Sequence, residues 1–145
     1  NGISEDQLIF KGNIDDWQSH LDLYNLIDIS LDPFPFNGCT TTFEALKMGV
    51  PVVTLLGRHF VDRAAASIVT HAGYPEFVVR TKEEYVDLAK SLAGNFDVLN
   101  ERRLSIRDNL FRSKICDEEP YCKNVEAAYR DMWATWCETG SYRGK

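Results

Sequence analysis

The stretch from Ile27 to Leu56 constrains the fold of this chain more than any other. Two short apolar runs, Ile27-Asp28-Ile29-Ser30-Leu31 and Val52-Val53-Thr54-Leu55-Leu56, flank a turn and a helix-forming segment. Runs rich in β-branched residues read as buried strands, and continuous apolar strands are typical of parallel sheets. Phe43-Glu44-Ala45-Leu46-Lys47-Met48 between them is a good helix former, closed by Gly49-Val50-Pro51. In the turn, Pro33 and Pro35 stiffen the chain, Asn37-Gly38 permits a sharp reversal with positive φ, and Thr40, Thr41 and Thr42 stand where a helix's first unpaired N–H groups emerge. Backbone donors, threonine hydroxyls and the positive end of the helix dipole would converge there on an anion such as phosphate. An ordinary capped βα corner accounts for the same residues, because threonine caps helices in many settings.

The rest of the chain continues the alternation. Gln7-Leu8-Ile9-Phe10-Lys11 is a strand candidate ended by Gly12-Asn13, and Trp17, Leu21 and Tyr24 recur at helical spacing behind Asp15 and Asp16. His20 lies in that helix, open to a surface role or to a ligand. After the second strand, His59 to Ala72 holds a small-residue helix stopped by Gly73-Tyr74-Pro75, and Phe77-Val78-Val79 is a third strand. Thr81-Lys82-Glu83-Glu84 has the form of a capping box opening a helix with Tyr85, Leu88, Ala89 and Leu92. Phe96 to Arg112 is helical in spacing, Cys116 to Pro120 is a polar loop, and Tyr121 to Glu138 is a last helix. Val125, Tyr129, Met132, Trp133 and Trp136 form one apolar stripe on it, a packing face for the core or for a further domain. The expected class is α/β: a Rossmann-like parallel sheet with helices on both faces, in one domain over residues 1–140, followed by a frayed tail from Ser141 to Lys145.

Composition narrows the chemistry. With 145 residues, 44% of them hydrophobic, the chain can bury one core. A net charge of −6 argues against nucleic acid or an acidic membrane surface as the main partner. Cys39, Cys116, Cys122 and Cys137 have neither zinc-site nor disulfide-scaffold spacing, which suits reduced thiols in the cytoplasm. The three histidines lack metal-ligand spacing, so no metal site is expected. The P-loop, the dinucleotide fingerprint and the hydrolase elbow are absent, which leaves a phosphate cradle without a P-loop. The start at Asn1, in mid-pattern, suggests a piece of something longer.

The run from Asp28 through Thr54, with Asn37-Gly38-Cys39-Thr40-Thr41-Thr42-Phe43-Glu44 at its centre, resembles the C-terminal lobe of the O-linked N-acetylglucosamine transferase family. That family includes SPINDLY-type O-fucosyltransferases and bacterial proteins with tetratricopeptide repeats. The likeness continues through Gly57, His59, Arg63, Ala66-Ser67 and Glu84-Tyr85 to Glu126-Ala127-Ala128-Tyr129-Arg130-Asp131-Met132-Trp133. It implies a GT-B fold, two Rossmann-like lobes with the donor nucleotide sugar held mainly by the C-terminal one.

By the same resemblance, Asn37, Gly38, Cys39, Thr40 and Thr41 correspond to the diphosphate-binding turn, with Thr40 and Thr41 stabilising the leaving group. Glu44 corresponds to an acidic residue on the ribose, and His20 to a histidine stacked on the base. Cys39 replaces a histidine of the animal enzymes, and a lysine they carry near Trp17 is missing. The implied reaction is inverting transfer of N-acetylglucosamine or fucose, from UDP-N-acetylglucosamine or GDP-fucose, to Ser or Thr hydroxyls, with no further cofactor. The Cys39-Thr40-Thr41-Thr42 run, Arg107-Asp108 and Tyr129 to Trp133 lean toward the SPINDLY-like side. The general base and the acceptor surface are implied to belong to an N-terminal lobe and repeats outside this chain, so the fragment alone is expected to bind nucleotide weakly and not to turn over. The other reading is a non-catalytic interaction or scaffold module that keeps the fold.

Overall fold

A computed structural model describes residues 2–12 and 14–141. Three strands, β1 (Ser30–Leu31), β2 (Val52–Leu55) and β3 (Val78–Val79), form a parallel sheet in the order β1-β2-β3. Ser30 lies opposite Val52 and Leu31 opposite Val53, and Thr54 and Leu55 lie opposite Val78 and Val79. Among the described residues six α-helices accompany the strands: α1 (Trp17–Asp22) before β1, α2 (Thr40–Lys47) and α3 (Ala64–His71) between strands, and α4 (Lys82–Ala93), α5 (Phe96–Arg112) and α6 (Glu118–Thr139) after β3. Successive strand residues point to opposite faces. Val52, Val53 and Thr54 are all buried, so both faces of the central strand are covered, as a continuously apolar strand requires.

The core gathers Ala45 and Leu46 of α2, Val50, Val52, Val53, Ile68 and Val69 of α3, and Ile106 and Leu110 of α5. Tyr74 and Phe77 stack within it. The buried Tyr74 hydroxyl keeps its hydrogen bonds, to Ser105 Oγ at 3.0 Å and from Asn109 Nδ2 at 2.7 Å. Gly49 ends α2 with φ of 76°, the left-handed position that lets the chain turn at once into β2. The capping box at Thr81 and Glu84 forms as its spacing predicts: Glu84 N–H donates to Thr81 Oγ1, and Thr81 N–H to the Glu84 carboxylate.

Several elements differ from the sequence expectation. Gln7 to Lys11 is not a strand: a 3-10 turn covers Glu5–Gln7, and Leu8, Ile9 and Phe10 follow outside any strand, Phe10 being 88% exposed. An apolar run becomes a strand only where a neighbour supplies a ladder, and no described residue supplies one here. Asn13, expected to help end that strand, lies outside the described residues. The first strand of the 27–56 unit is short and edge-lying, with Ile27 and Leu31 exposed, because β1 pairs on one side only. The expected 15–24 helix is α1 followed by a 3-10 turn at Leu23–Leu26.

The last helix starts three residues early, at Glu118, since Pro120 falls in its first turn, where a missing N–H costs nothing. Its aromatic stripe does not enter the core: Tyr129, Trp133 and Trp136 are exposed, Trp133 by 68%. Residues 142–145 of the expected tail lie outside the described residues. The four cysteines are free, no helix is long and apolar enough to cross a membrane, and no cluster of potential metal ligands occurs among the described residues.

Candidate functional site

The turn between β1 and α2 is held from below by one carboxylate. Asp32, the residue after β1, is 3% exposed. Its Oδ1 accepts the Gly38 N–H at 2.7 Å, and its Oδ2 accepts the Thr54 hydroxyl at 2.7 Å. Burial pushes the Asp32 carboxyl above the usual carboxylate value, while the bonds from Thr54 and Gly38 pull the other way. Its carbonyl accepts the Tyr85 hydroxyl of α4 at 2.9 Å, and Phe34 packs edge-on against the Tyr85 ring. The turn is therefore tied to β2 and to α4.

Asn37 and Gly38 build the turn in a way the sequence does not specify. Asn37 is buried; its N–H donates to Val61 O at 2.9 Å and its Nδ2 to Pro33 O at 3.1 Å. Its Oδ1 is the one buried side-chain oxygen or nitrogen without a partner among the described residues. Neither residue has positive φ, contrary to the expected Asn-Gly geometry. Gly38 is required by space instead: a Cβ there would lie 2.5 Å from Thr41 Oγ1 and 3.0 Å from Thr42 Oγ1.

Beyond the turn, α2 opens with Cys39 as its N-cap, which makes no side-chain cap bond, and no acidic residue stands in the first turn. Thr40 and Thr41 are exposed, and Thr42 is buried. This helix start thus carries two exposed threonines and no acidic side chain in its first turn, an arrangement that suits an anion.

One turn along α2, Glu44 is 7% exposed and meets two side chains of the α1 region. His20 Nε2 lies 3.0 Å from Glu44 Oε2, and the Tyr24 hydroxyl donates to the same oxygen at 3.0 Å. Burial, then the bond and charge of Glu44, push the Tyr24 phenol up to about 12. The His20 ring stacks on Trp17 and meets the Tyr24 edge. A cleft of about 440 Å³ opens beside His20, with Leu23, Leu26, Ile27 and Lys11 among its walls. A larger cleft, about 580 Å³, includes Arg63, His71 and Arg80 and none of the sequence-predicted site residues.

The fold thus brings His20 to Glu44 across 24 positions of sequence and places both beside the Thr40–Thr41 helix start. Sequence reasoning missed Tyr24, Asp32, Thr54 and Tyr85 as parts of this assembly. Tyr24 had a readable signal, since it stands four residues after His20 and so shares its helix face. The partners of Asp32 come from two distant elements and had none.

Comparison with known proteins identifies the family of the chain. Residues 1–125 match the family model described as glycosyl transferase family 41. The chain is 43% identical over 122 residues to a barley (Hordeum vulgare) protein named probable UDP-N-acetylglucosamine–peptide N-acetylglucosaminyltransferase SPINDLY, covering 84% of this chain and 13% of that protein. To the UDP-N-acetylglucosamine–peptide N-acetylglucosaminyltransferase of Caenorhabditis elegans it is 30% identical over 132 residues, covering 91% of this chain and 11% of that protein. A solved structure of a point variant of the Thermobaculum terrenum O-GlcNAc transferase superposes with a TM-score of 0.78 at 41% identity, over 87% of this chain and 24% of that one. The parallel sheet with helices on both faces is accordingly that of a GT-B lobe. The chain spans about an eighth of the length of the curated relatives it matches. It belongs to glycosyl transferase family 41.

Proposed function

We propose that this chain is the donor-binding C-terminal lobe of a protein O-glycosyltransferase that transfers N-acetylglucosamine from UDP-N-acetylglucosamine to Ser or Thr hydroxyls of a polypeptide. One observation carries the reading: an uncapped helix start with exposed Thr40 and Thr41 stands one turn from Glu44, whose carboxylate is paired with His20. That spacing offers diphosphate donors, a ribose acceptor and an aromatic face for a base on one surface. The names of the relatives supply the donor and the peptide acceptor. GDP-fucose has only the sequence leaning behind it.

In this reading the acceptor hydroxyl attacks the anomeric carbon from the face opposite the diphosphate, which inverts the configuration. Negative charge grows on the departing diphosphate. The Thr40 and Thr41 hydroxyls and the first amides of α2 supply the donors that stabilise it in this reading. Cys39 sits at the helix cap with an exposed thiol, a weak donor in the place of the imidazole of animal relatives. Asn37 and Gly38 act by shaping the turn, since the Asn37 side chain is buried and the Gly38 amide is committed to Asp32. Glu44 accepts from a ribose hydroxyl, and the base lies on His20 toward the adjoining apolar cleft.

The general base and the polypeptide surface then belong to an N-terminal lobe and tetratricopeptide repeats of a longer protein, and this chain alone does not turn over. Four free cysteines fit a reducing compartment, and we place the enzyme in the cytoplasm. The test is Thr41→Val and Glu44→Ala in the full-length protein, with transfer and thermal unfolding measured together, and with UDP and GDP compared as stabilising ligands. Loss of transfer with folding intact is expected, with UDP the stronger stabiliser. Unchanged function in both variants would instead identify a scaffold module.

A further inference from the structure

Glu44 Oε2 receives two donors, His20 Nε2 at 3.0 Å and the Tyr24 hydroxyl at 3.0 Å. The other oxygen, Oε1, accepts from no described residue. The Glu44 side chain keeps 8% of its surface exposed. The carboxylate is thus divided: one oxygen holds two described partners and the other holds none. The Tyr24 hydroxyl also points to the Thr41 carbonyl, at 3.4 Å, which links the Glu44 side chain to the backbone of the helix start.

Resting on the donor-site reading above, we propose that Tyr24 is a positioning residue for ribose recognition: its hydroxyl fixes Glu44 so that Oε1 alone faces a ribose hydroxyl. The chemistry requires a donor that stays a donor. A phenol raised to about 12 keeps its proton throughout the neutral range, and since Glu44 Oε2 can only accept as a carboxylate, the Tyr24 O–H must donate to it. His20 shares the same oxygen and carries its proton on Nε2 for the same reason. Its ring also stacks on Trp17 and meets the Tyr24 ring in a T-shaped contact, so the phenol restrains the imidazole as well as the carboxylate. Without the Tyr24 hydroxyl, Glu44 keeps a single anchor and can rotate about its terminal bond, spreading Oε1 over several directions. Ligands that use the ribose hydroxyls then lose affinity, and ligands lacking those hydroxyls do not.

The experiment measures binding of a nucleoside diphosphate, UDP or GDP, whichever the wild-type full-length protein binds more tightly, and of its 2′,3′-dideoxy analogue. Wild type is expected to prefer the ribose form. Tyr24→Phe should weaken the ribose form by about fivefold to tenfold, the worth of one hydrogen bond, and leave the dideoxy analogue unchanged. In a Glu44→Gln background the same Tyr24→Phe change should have no further effect on the ribose preference, the non-additivity expected of a residue that acts through another. An unchanged ribose preference in Tyr24→Phe, or equal weakening of both ligands, would overturn the inference while leaving the donor site in place. A wild-type protein that binds neither diphosphate, or ignores the ribose hydroxyls, would overturn the donor-site reading itself.

Discussion

Asp32 and Gly38 are joined by a 2.7 Å hydrogen bond from the glycine amide to the buried carboxylate, and this bond sets the shape of the turn that leads into α2. The second oxygen of Asp32 is occupied by Thr54 of β2, so one side chain couples the turn to the sheet. Asp32→Ala would leave the Gly38 N–H and the Thr54 hydroxyl without their partner. An unsatisfied buried donor costs about 1–3 kcal/mol, so the variant should lose stability on that order in urea denaturation. It should also bind nucleotide more weakly than its stability loss alone explains.

The same carboxylate gives a pH signature. Burial raises its folded value above the ordinary 3.8, so the folded state holds the Asp32 proton at pH values where the unfolded chain has released it. Stability from this group is therefore complete below 3.8 and is lost as pH rises through the folded value. Thermal melts of wild type and Asp32→Asn from below pH 3.8 up to neutral pH should show the difference moving in favour of Asn as pH rises. A difference independent of pH would contradict the assignment.

Gly38→Ala tests space rather than backbone conformation. The new methyl would lie 2.5 Å from Thr41 Oγ1 and 3.0 Å from Thr42 Oγ1, so Thr41 must rotate or the turn must shift. Overpacking of this kind costs about 1–3 kcal/mol. Diphosphate affinity should fall together with stability, because the displaced hydroxyl is one of the proposed donors. Calorimetric titration with UDP checks the first, and urea denaturation the second.

Gly49→Ala should act on the fold alone. Gly49 has φ of 76°, and a Cβ there would meet the Arg103 carbonyl oxygen of α5 at 2.9 Å. Left-handed strain and the backbone contact together predict a loss of about 1–3 kcal/mol. Ligand affinity measured well below the melting temperature should stay at the wild-type value.

Much of the architecture was legible because it is written in local patterns. Val52 to Leu55 forms the expected central strand, Thr81 and Glu84 form the predicted box, and Gly49 and Gly73 stop helices where they should. The elements that escaped are those decided by neighbours. Leu8 to Phe10 has strand composition but no described ladder to join, and the aromatic stripe of α6 has the period of a packing face while remaining exposed. Within the candidate site, Thr40, Thr41, Glu44 and His20 could be proposed from residue type and family likeness. The Asp32 clamp and the Tyr24 anchor could not, since each depends on a hydrogen bond between residues distant in sequence. The role of Gly38 was visible as a glycine and misread as a φ requirement, because sequence does not show which side chain lies against it.

The central claim, that the α2 start holds the donor's diphosphate, is tested most directly by titrating the wild-type and Thr41→Val full-length proteins with UDP and with uridine. Thr41 would contribute a hydrogen bond to charged phosphate oxygen, worth about 1.5–3 kcal/mol. The expected result is a loss of about tenfold or more in UDP affinity with uridine binding unchanged. Equal UDP affinity in the two proteins, or an equal loss for uridine, would contradict it.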